Sequence, residues 1–150
     1  MLTYRSARGR WVLAATILGS GLASLDATVV GIALPRIGTD FHAGLAVLQW
    51  VVTGYTLTLA AFLLLGGTLG DHFGRRRIFM IGVVWCAVAS AGCAVAPNAV
   101  TLVAARALQG VGAALLTPGS LAILQSSFVP EDRSRAIGAW SGFGALAMAG

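Results

Sequence analysis

The chain has 150 residues, of which 57% are hydrophobic and only 10% are charged, and its formal net charge is +5. Soluble domains usually carry about a quarter charged residues, so this composition excludes an ordinary soluble domain and indicates a helical integral membrane protein. The positive charge does not indicate a nucleic-acid-binding protein, because the arginines lie beside the apolar stretches and form no patch on a soluble face.

Long apolar stretches predict membrane-spanning helices, since a crossing needs only about 20 apolar residues. Asp, Glu, Lys and Arg are absent from residues 41–70, 78–105 and 107–130. In chain order, the predicted helices cover residues 11–34, 45–69, 78–96, 99–125 and 136–150. The last would be about 22 Å long, shorter than the roughly 30 Å hydrocarbon core, so we expect the sequence to stop inside a fifth span. The predicted fold is an all-α, polytopic transmembrane bundle.

The arginines predict the orientation of the bundle, because cytoplasmic loops of membrane proteins are enriched in positive residues. With the N-terminus in the cytoplasm, eight of the ten arginines are cytoplasmic, while Arg36 lies outside and Arg106 lies within the membrane. The eight are Arg5, Arg8, Arg10, Arg75, Arg76, Arg77, Arg133 and Arg135. Residues 1–23 imitate a secretory signal, but the apolar stretch continues to Leu34, so we expect a retained first span of a multi-pass cell-membrane protein.

Two ionisable residues lie inside predicted spans, where each costs about 2.5 to 3.5 kcal/mol at a helix centre. Asp26 lies about 12 Å from the outer end of the first helix, and Arg106 lies about 10 Å from the outer end of the fourth. Because their depths match, we expect the two side chains to face a common cavity and to pair. Separating a buried carboxylate from an arginine favours proton uptake, which is the chemistry that proton-driven transport needs.

The short segment 67–77 between the second and third helices contains one acid, one histidine and three arginines. Asp71 follows the C-terminus of a helix, where the helix dipole disfavours an anion, so it is expected to pair with an arginine of its loop or with another helix. Gly67 and Gly74 would allow a tight reversal and close approach by a neighbour. A plain solvated turn is the alternative.

Other residues carry simpler interpretations. Cys86 and Cys93 lie seven residues apart on one helix face with no further metal ligands in view, so packing is favoured over a redox or metal role. No metal and no cofactor is therefore expected. Pro118 is expected to kink the fourth helix.

Four sequence blocks together resemble the major facilitator superfamily, in particular its fourteen-helix drug:proton antiporters. Residues 67–76 match the family's loop signature Gly-x-Leu-Ala-Asp-Arg-x-Gly-Arg-Arg/Lys, with Gly70 in place of Ala and His72 in place of Arg. The other blocks are LDATVVGIALP at 25–35, LQWVVTGYTLTLA at 48–60 and LVAARALQGVGAA at 102–114, similar to the family's helices 1, 2 and 4. The resemblance implies the first four helices and part of the fifth of a major facilitator fold.

The resemblance also implies a function and residue roles. The protein would exchange protons for hydrophobic or cationic drugs, as in multidrug efflux and antibiotic resistance, and the helices that complete the cavity would follow this chain. Asp26 would carry the proton or bind the substrate cation, with Arg106 as its partner. Gly67, Asp71, Gly74, Arg75 and Arg76 would form a cytoplasmic latch. Candidate cavity and packing residues are Tyr55, Gln109, Trp50, Gly110, Gly142 and Gly144, although Trp50 is also explained as an interfacial anchor.

Three other functions remain open alternatives to this one. A small dimeric four-span exporter would fit the length but would not need the 67–77 segment. A non-transport membrane assembly protein would tolerate apolar replacement of Asp26 and Arg106. An intramembrane enzyme is disfavoured, since Asp26 is the sole acid and no histidine lies within the predicted spans.

Overall fold

The computed structural model describes residues 1–149 and contains five α-helices within them. They are α1 (Ala7–Asp40), α2 (Leu45–Phe73), α3 (Arg75–Ala94), α4 (Ala99–Ser127) and α5 (Pro130–Ala149). The first four are long and apolar enough to cross a membrane. The all-α bundle predicted from composition and apolar runs is confirmed.

Helix α4 forms the centre of the bundle and packs against each of the other four helices. Small residues permit this close packing in a medium where hydrophobicity gives no force between helices. A Cβ on Gly110 would collide with the Tyr55 carbonyl on α2, and a Cβ on Gly66 would collide with the Ala114 carbonyl on α4. A Cβ on Gly112 would lie 2.7 Å from Cys86 Sγ on α3. These glycines set the distances at which α2 and α3 meet α4.

Helix α1 extends beyond its predicted end at Leu34. Pro35 lies inside the helix, which continues to Asp40. A proline removes one helical hydrogen bond, but the bonds after it are intact, and the Phe41 amide donates to the Ile37 carbonyl over 3.1 Å. The prediction that the chain leaves the helix at Pro35 is therefore wrong.

Helices α3 and α5 both begin earlier than predicted, at Arg75 and Pro130. Gly74 alone separates α2 from α3, and its φ of +98° lies in the left-handed region that favours glycine. Pro130 fits the first helical turn because its fixed φ suits a helix and no N–H donor is needed there. Glu131 and Asp132 follow in that turn, where the helix dipole favours anions.

The N-terminal segment holds one end of the bundle together. The Leu2 amide donates to the Ser127 carbonyl over 2.7 Å, and the Val129 amide donates to the Leu2 carbonyl over 3.0 Å. The Tyr4 amide donates to an Asp132 carboxylate oxygen over 2.8 Å. These bonds tie the start of α1 to the α4–α5 junction, at the end of the bundle that carries the eight arginines outside the spans. We call this the basic end.

Candidate functional site

An ion pair joins Asp26 of α1 to Arg106 of α4 inside the bundle. The guanidinium NH1 donates to Asp26 Oδ2. The Arg106 side chain is 2% exposed and the Asp26 side chain is 25% exposed, so the pair is buried on its cationic side and open on its anionic side. The pairing predicted from equal depth in the membrane is present, whereas the proton-carrying role of Asp26 stays a prediction.

Three further contacts hold the Arg106 guanidinium. Its Nε donates to the Val51 carbonyl of α2 over 3.2 Å, and NH1 donates to Gln109 Oε1 over 2.8 Å. Its central carbon lies 4.4 Å from the centre of the Tyr55 ring, a cation–π contact. A buried arginine is tolerated only with such partners, because an unpaired charge in an apolar interior costs several kcal/mol. No buried side-chain nitrogen or oxygen in residues 1–149 lacks a hydrogen-bond partner.

Gln109 connects the ion pair to α3. Its Nε2 donates to Asp26 Oδ1 over 2.9 Å and to Ser90 Oγ over 2.8 Å. The Cys93 thiol donates to Gln109 Oε1 over 3.4 Å. Ser90 was not among the predicted site residues, and Cys93 was expected to serve in packing. Their spacing with Cys86, at positions 86, 90 and 93, places three polar or polarisable groups on one helix face, and this was the available signal.

A cavity of about 320 Å³ lies beside the ion pair, between α1 and α3. It is lined by Leu22, Ala23, Leu25, Asp26, Val29, Tyr55, Cys86, Ala87, Ser90 and Gln109. The walls are mostly apolar, and the open side of the Asp26 carboxylate is among the few polar groups that face the interior. A small ligand in such a cavity would contact mostly apolar walls and would be oriented by a few polar groups.

A second cavity, of about 590 Å³, lies between α1, α2, α4 and α5. Tyr55 borders both cavities. In the second cavity, Trp140 of α5 donates its indole N–H to Ser20 Oγ of α1 over 3.0 Å. The two cavities thus share one aromatic wall on α2, next to the Arg106 guanidinium.

The junction between α2 and α3 contains a second ion pair, between Asp71 and Arg75 at 3.1 Å. Arg75 NH1 also donates to the Ala122 carbonyl near the end of α4, over 3.4 Å. Asp71 lies in the last turn of α2, where the helix dipole disfavours an anion, and Arg75 is the arginine partner expected for it. The Arg76 side chain is exposed and forms no hydrogen bond or ion pair within residues 1–149. At the basic end, Arg75 provides a side-chain link from α2 and α3 to α4.

Two of the predicted glycine roles and the cavity role of Trp50 differ from the structure. Trp50 is 54% exposed and borders neither cavity described above, because five residues along a helix turn it about 140° away from Tyr55. Gly142 and Gly144 have nothing within 4 Å of an added Cβ, so no close packing in residues 1–149 requires them. Gly144 instead borders the second cavity.

Gly67 of α2, predicted as part of the latch, lies beside Pro118 of α4. A Cβ on Gly67 would lie 3.8 Å from the Pro118 side chain, an ordinary contact, so the close approach of the helices depends on Gly66. Pro118 lies inside α4. Gly110, by contrast, packs where no side chain fits, as noted above.

Comparison with known proteins identifies the family. The sequence model of the Major Facilitator Superfamily matches residues 16–149 of this chain. The tetracenomycin C resistance and export protein of Streptomyces glaucescens is 44% identical over 146 residues, which cover 95% of this chain and 27% of that protein.

Two further relatives show the same relation. The probable actinorhodin transporter of Streptomyces coelicolor is 40% identical over 91% of this chain and 24% of its own length. The methylenomycin A resistance protein of Bacillus subtilis is 40% identical over 96% of this chain and 31% of its own length. The chain thus spans about a quarter to a third of these relatives. It is a multi-pass membrane protein that belongs to the Major Facilitator Superfamily, a family of transporters and not of enzymes.

Proposed function

We propose that the complete protein encoded by this gene is a secondary active transporter that exports hydrophobic or cationic drugs or metabolites in exchange for protons. One observation carries the proposal: Asp26 is held by a buried arginine and yet opens onto a cavity in the membrane-spanning bundle. The relatives support export as the direction, since one is named an export protein and others are named for antibiotic resistance.

The geometry suggests how proton and substrate would compete for one carboxylate. While Asp26 is ionised, it accepts hydrogen bonds from Arg106 and Gln109 and presents its remaining surface to the cavity. A cationic substrate in the cavity would gain from this charge, and a proton on Asp26 would remove it. Binding of either ligand therefore disfavours the other, which is the requirement for exchange.

The apolar cavity walls and the Tyr55 ring indicate the class of substrate. An apolar wall favours a hydrophobic compound, and an aromatic ring beside it favours a planar or aromatic one. Substrate choice in the complete protein would also depend on residues beyond this chain.

The contact from Arg75 to α4 would serve as a latch between conformations. Alternating access requires two halves of a transporter to rock around a central site. The bridge from Asp71 through Arg75 to the Ala122 carbonyl ties three helices at the basic end. We expect it to stabilise one conformation, with Gly74 allowing the sharp α2–α3 reversal. Following the distribution of arginines, the basic end would face the cytoplasm.

Replacing Asp26 by Asn in the complete protein tests this function. The amide keeps the size of the side chain and one acceptor oxygen, but it can neither carry the proton nor attract a cation. We expect insertion to be preserved and proton-driven export of a fluorescent cationic compound to be lost.

Asp40→Asn is a matched control on the same helix. Asp40 is 64% exposed in its side chain and lies 3.9 Å from Arg36, so its neutralisation is expected to leave export unchanged. Wild-type export by the Asp26→Asn protein would exclude Asp26 as the coupling residue. Export that is lost equally in both variants would also contradict the assignment.

A further inference from the structure

We propose that Ser90 on α3 is a positioning residue that fixes the Gln109 side chain and, through it, the Asp26–Arg106 ion pair. Its consequence for transport rests on the proposed function, whereas its structural effect does not. The coupling roles assigned above fall on Asp26 of α1 and Arg106 of α4, so this inference adds α3 to the coupling site.

The hydrogen-bonding capacity of the Gln109 amide is fully used. The nitrogen has two N–H groups, which donate to Asp26 Oδ1 at 2.9 Å and to Ser90 Oγ at 2.8 Å. The oxygen has two lone pairs, which accept from Arg106 NH1 at 2.8 Å and from the Cys93 thiol at 3.4 Å. An amide with two donors and two acceptor positions can make no further bonds of this kind.

The orientation of this amide matters because its two ends face opposite charges. Its oxygen faces the guanidinium and its nitrogen faces the carboxylate. A rotated amide would direct N–H groups at Arg106 and a lone pair at Asp26, and both contacts would be repulsive. Gln109 is 3% exposed, so little water is available to replace a lost partner. Ser90 holds the second N–H group and thereby keeps the first one directed at Asp26.

The same bonds bridge two helices across a cavity. Asp26 lies on the α1 side of the 320 Å³ cavity and Ser90 lies on the α3 side. The path from Asp26 through Gln109 to Ser90 is the hydrogen-bonded connection between these sides. Movement of α3 relative to α4 would therefore release the Gln109 amide that donates to Asp26, which links helix position to the hydrogen bonding of that carboxylate.

The titratable groups around Asp26 come from three other helices. They are Arg106 on α4, Tyr55 on α2, and Cys86 and Cys93 on α3. The titratable residues of α5 in the described part of the chain lie in its first six positions, at the basic end. Of these groups, Arg106 carries a charge at neutral pH, so the pair with Asp26 dominates the electrostatics that Ser90 would tune.

The test compares Ser90→Ala with Ser90→Thr in the complete protein. Alanine removes the acceptor, and threonine keeps a hydroxyl at the same position. Thr56→Val is the matched control, since the Thr56 hydroxyl is exposed and donates to the Val52 carbonyl of its own helix over 3.2 Å. The first readout is the S–H stretching band of Cys93, assigned by its loss in Cys93→Ala. The second is the pH dependence of proton release on addition of a cationic substrate.

We expect Ser90→Ala to shift the Cys93 band, because the released amide no longer holds its oxygen against the thiol. The pH profile of proton release should change, since the Asp26 carboxylate loses the directed Gln109 donor. Ser90→Thr should restore both values, and Thr56→Val should change neither.

An unchanged Cys93 band in Ser90→Ala would overturn the inference, and so would an unchanged pH profile in a protein that releases protons. If the wild-type protein releases no proton with any substrate, the proposed function fails, and the Cys93 band still decides the role of Ser90. If Ser90→Ala does not accumulate in the membrane, Ser90→Cys, with a weaker acceptor, should shift both readouts in the same direction by less.

Discussion

Replacing Arg106 by Met removes the charge that faces Asp26 and keeps a long, flexible side chain in a position that is 2% exposed. The substitution leaves the Asp26 carboxylate without its guanidinium partner and leaves the Val51 carbonyl without its Nε–H donor. Removing one partner of a buried ion pair usually costs about 3 to 5 kcal/mol.

Water limits this cost, because the Asp26 side chain is 25% exposed to the cavity. We therefore expect Arg106→Met to lower the free energy of unfolding by about 3 kcal/mol at pH 7.

Unfolding in mixed micelles, with SDS as the denaturant, measures this free energy for a membrane protein. The decisive comparison is a double-mutant cycle with Asp26→Asn. Asn removes the unpaired charge, so the double variant should be more stable than Arg106→Met alone by about 1 to 2 kcal/mol. If the losses in unfolding free energy of the two single variants simply add in the double variant, the two residues are not coupled. A loss below about 0.5 kcal/mol in Arg106→Met would likewise refute the view that the pair is buried and coupled.

Three further substitutions have distinct expected outcomes. Gly110→Ala should lower the free energy of unfolding by about 1 to 3 kcal/mol in the same assay, because the added Cβ collides with α2. Gly138→Ala is the control, since open space surrounds Gly138, and it should not lower the free energy of unfolding. Equal effects of the two substitutions would contradict the described packing. Gly74→Ala should cost about 1 to 3 kcal/mol because of its φ of +98°, and a neutral result would show that the α2–α3 junction rearranges freely. Arg75→Gln should change stability by less than about 1 kcal/mol, since Arg75 is 42% and Asp71 66% exposed, but should lower the export rate; an unchanged rate would remove the latch.

Much of the fold could be predicted because the signals are long and local. Uncharged runs of more than 20 residues predict spans, and the positions of α2 and α4 follow from them. Helix ends were harder to predict. Pro35 suggests the end of a helix but stands inside α1. Pro130 begins α5 six residues before its predicted start at residue 136. A proline is compatible with either outcome, and bonds in the neighbouring turns decide between them.

The ion pair was predictable, and its surroundings were not. Charges in a membrane are rare, so two at equal depth point to each other. Ser90 and the Val51 carbonyl carry no such signal, because serines and backbone carbonyls occur along every helix. Their role depends on how α2 and α3 are rotated about their axes, which residues such as Gly110 and Gly112 determine through contacts between helices. The cavity role considered for Trp50 depended on the same rotation, since sequence proximity to Tyr55 says nothing about a shared face, and its 54% exposure agrees with the interfacial anchor.

The count of protons released when substrate binds tests the coupling role of Asp26 most directly. In weakly buffered detergent solution at a pH where the substrate site is protonated, a saturating cationic substrate should release about one proton per complete wild-type protein and none from Asp26→Asn. Release of the same number of protons by the Asp26→Asn protein would show that another group exchanges the proton, and the proposed mechanism would be wrong.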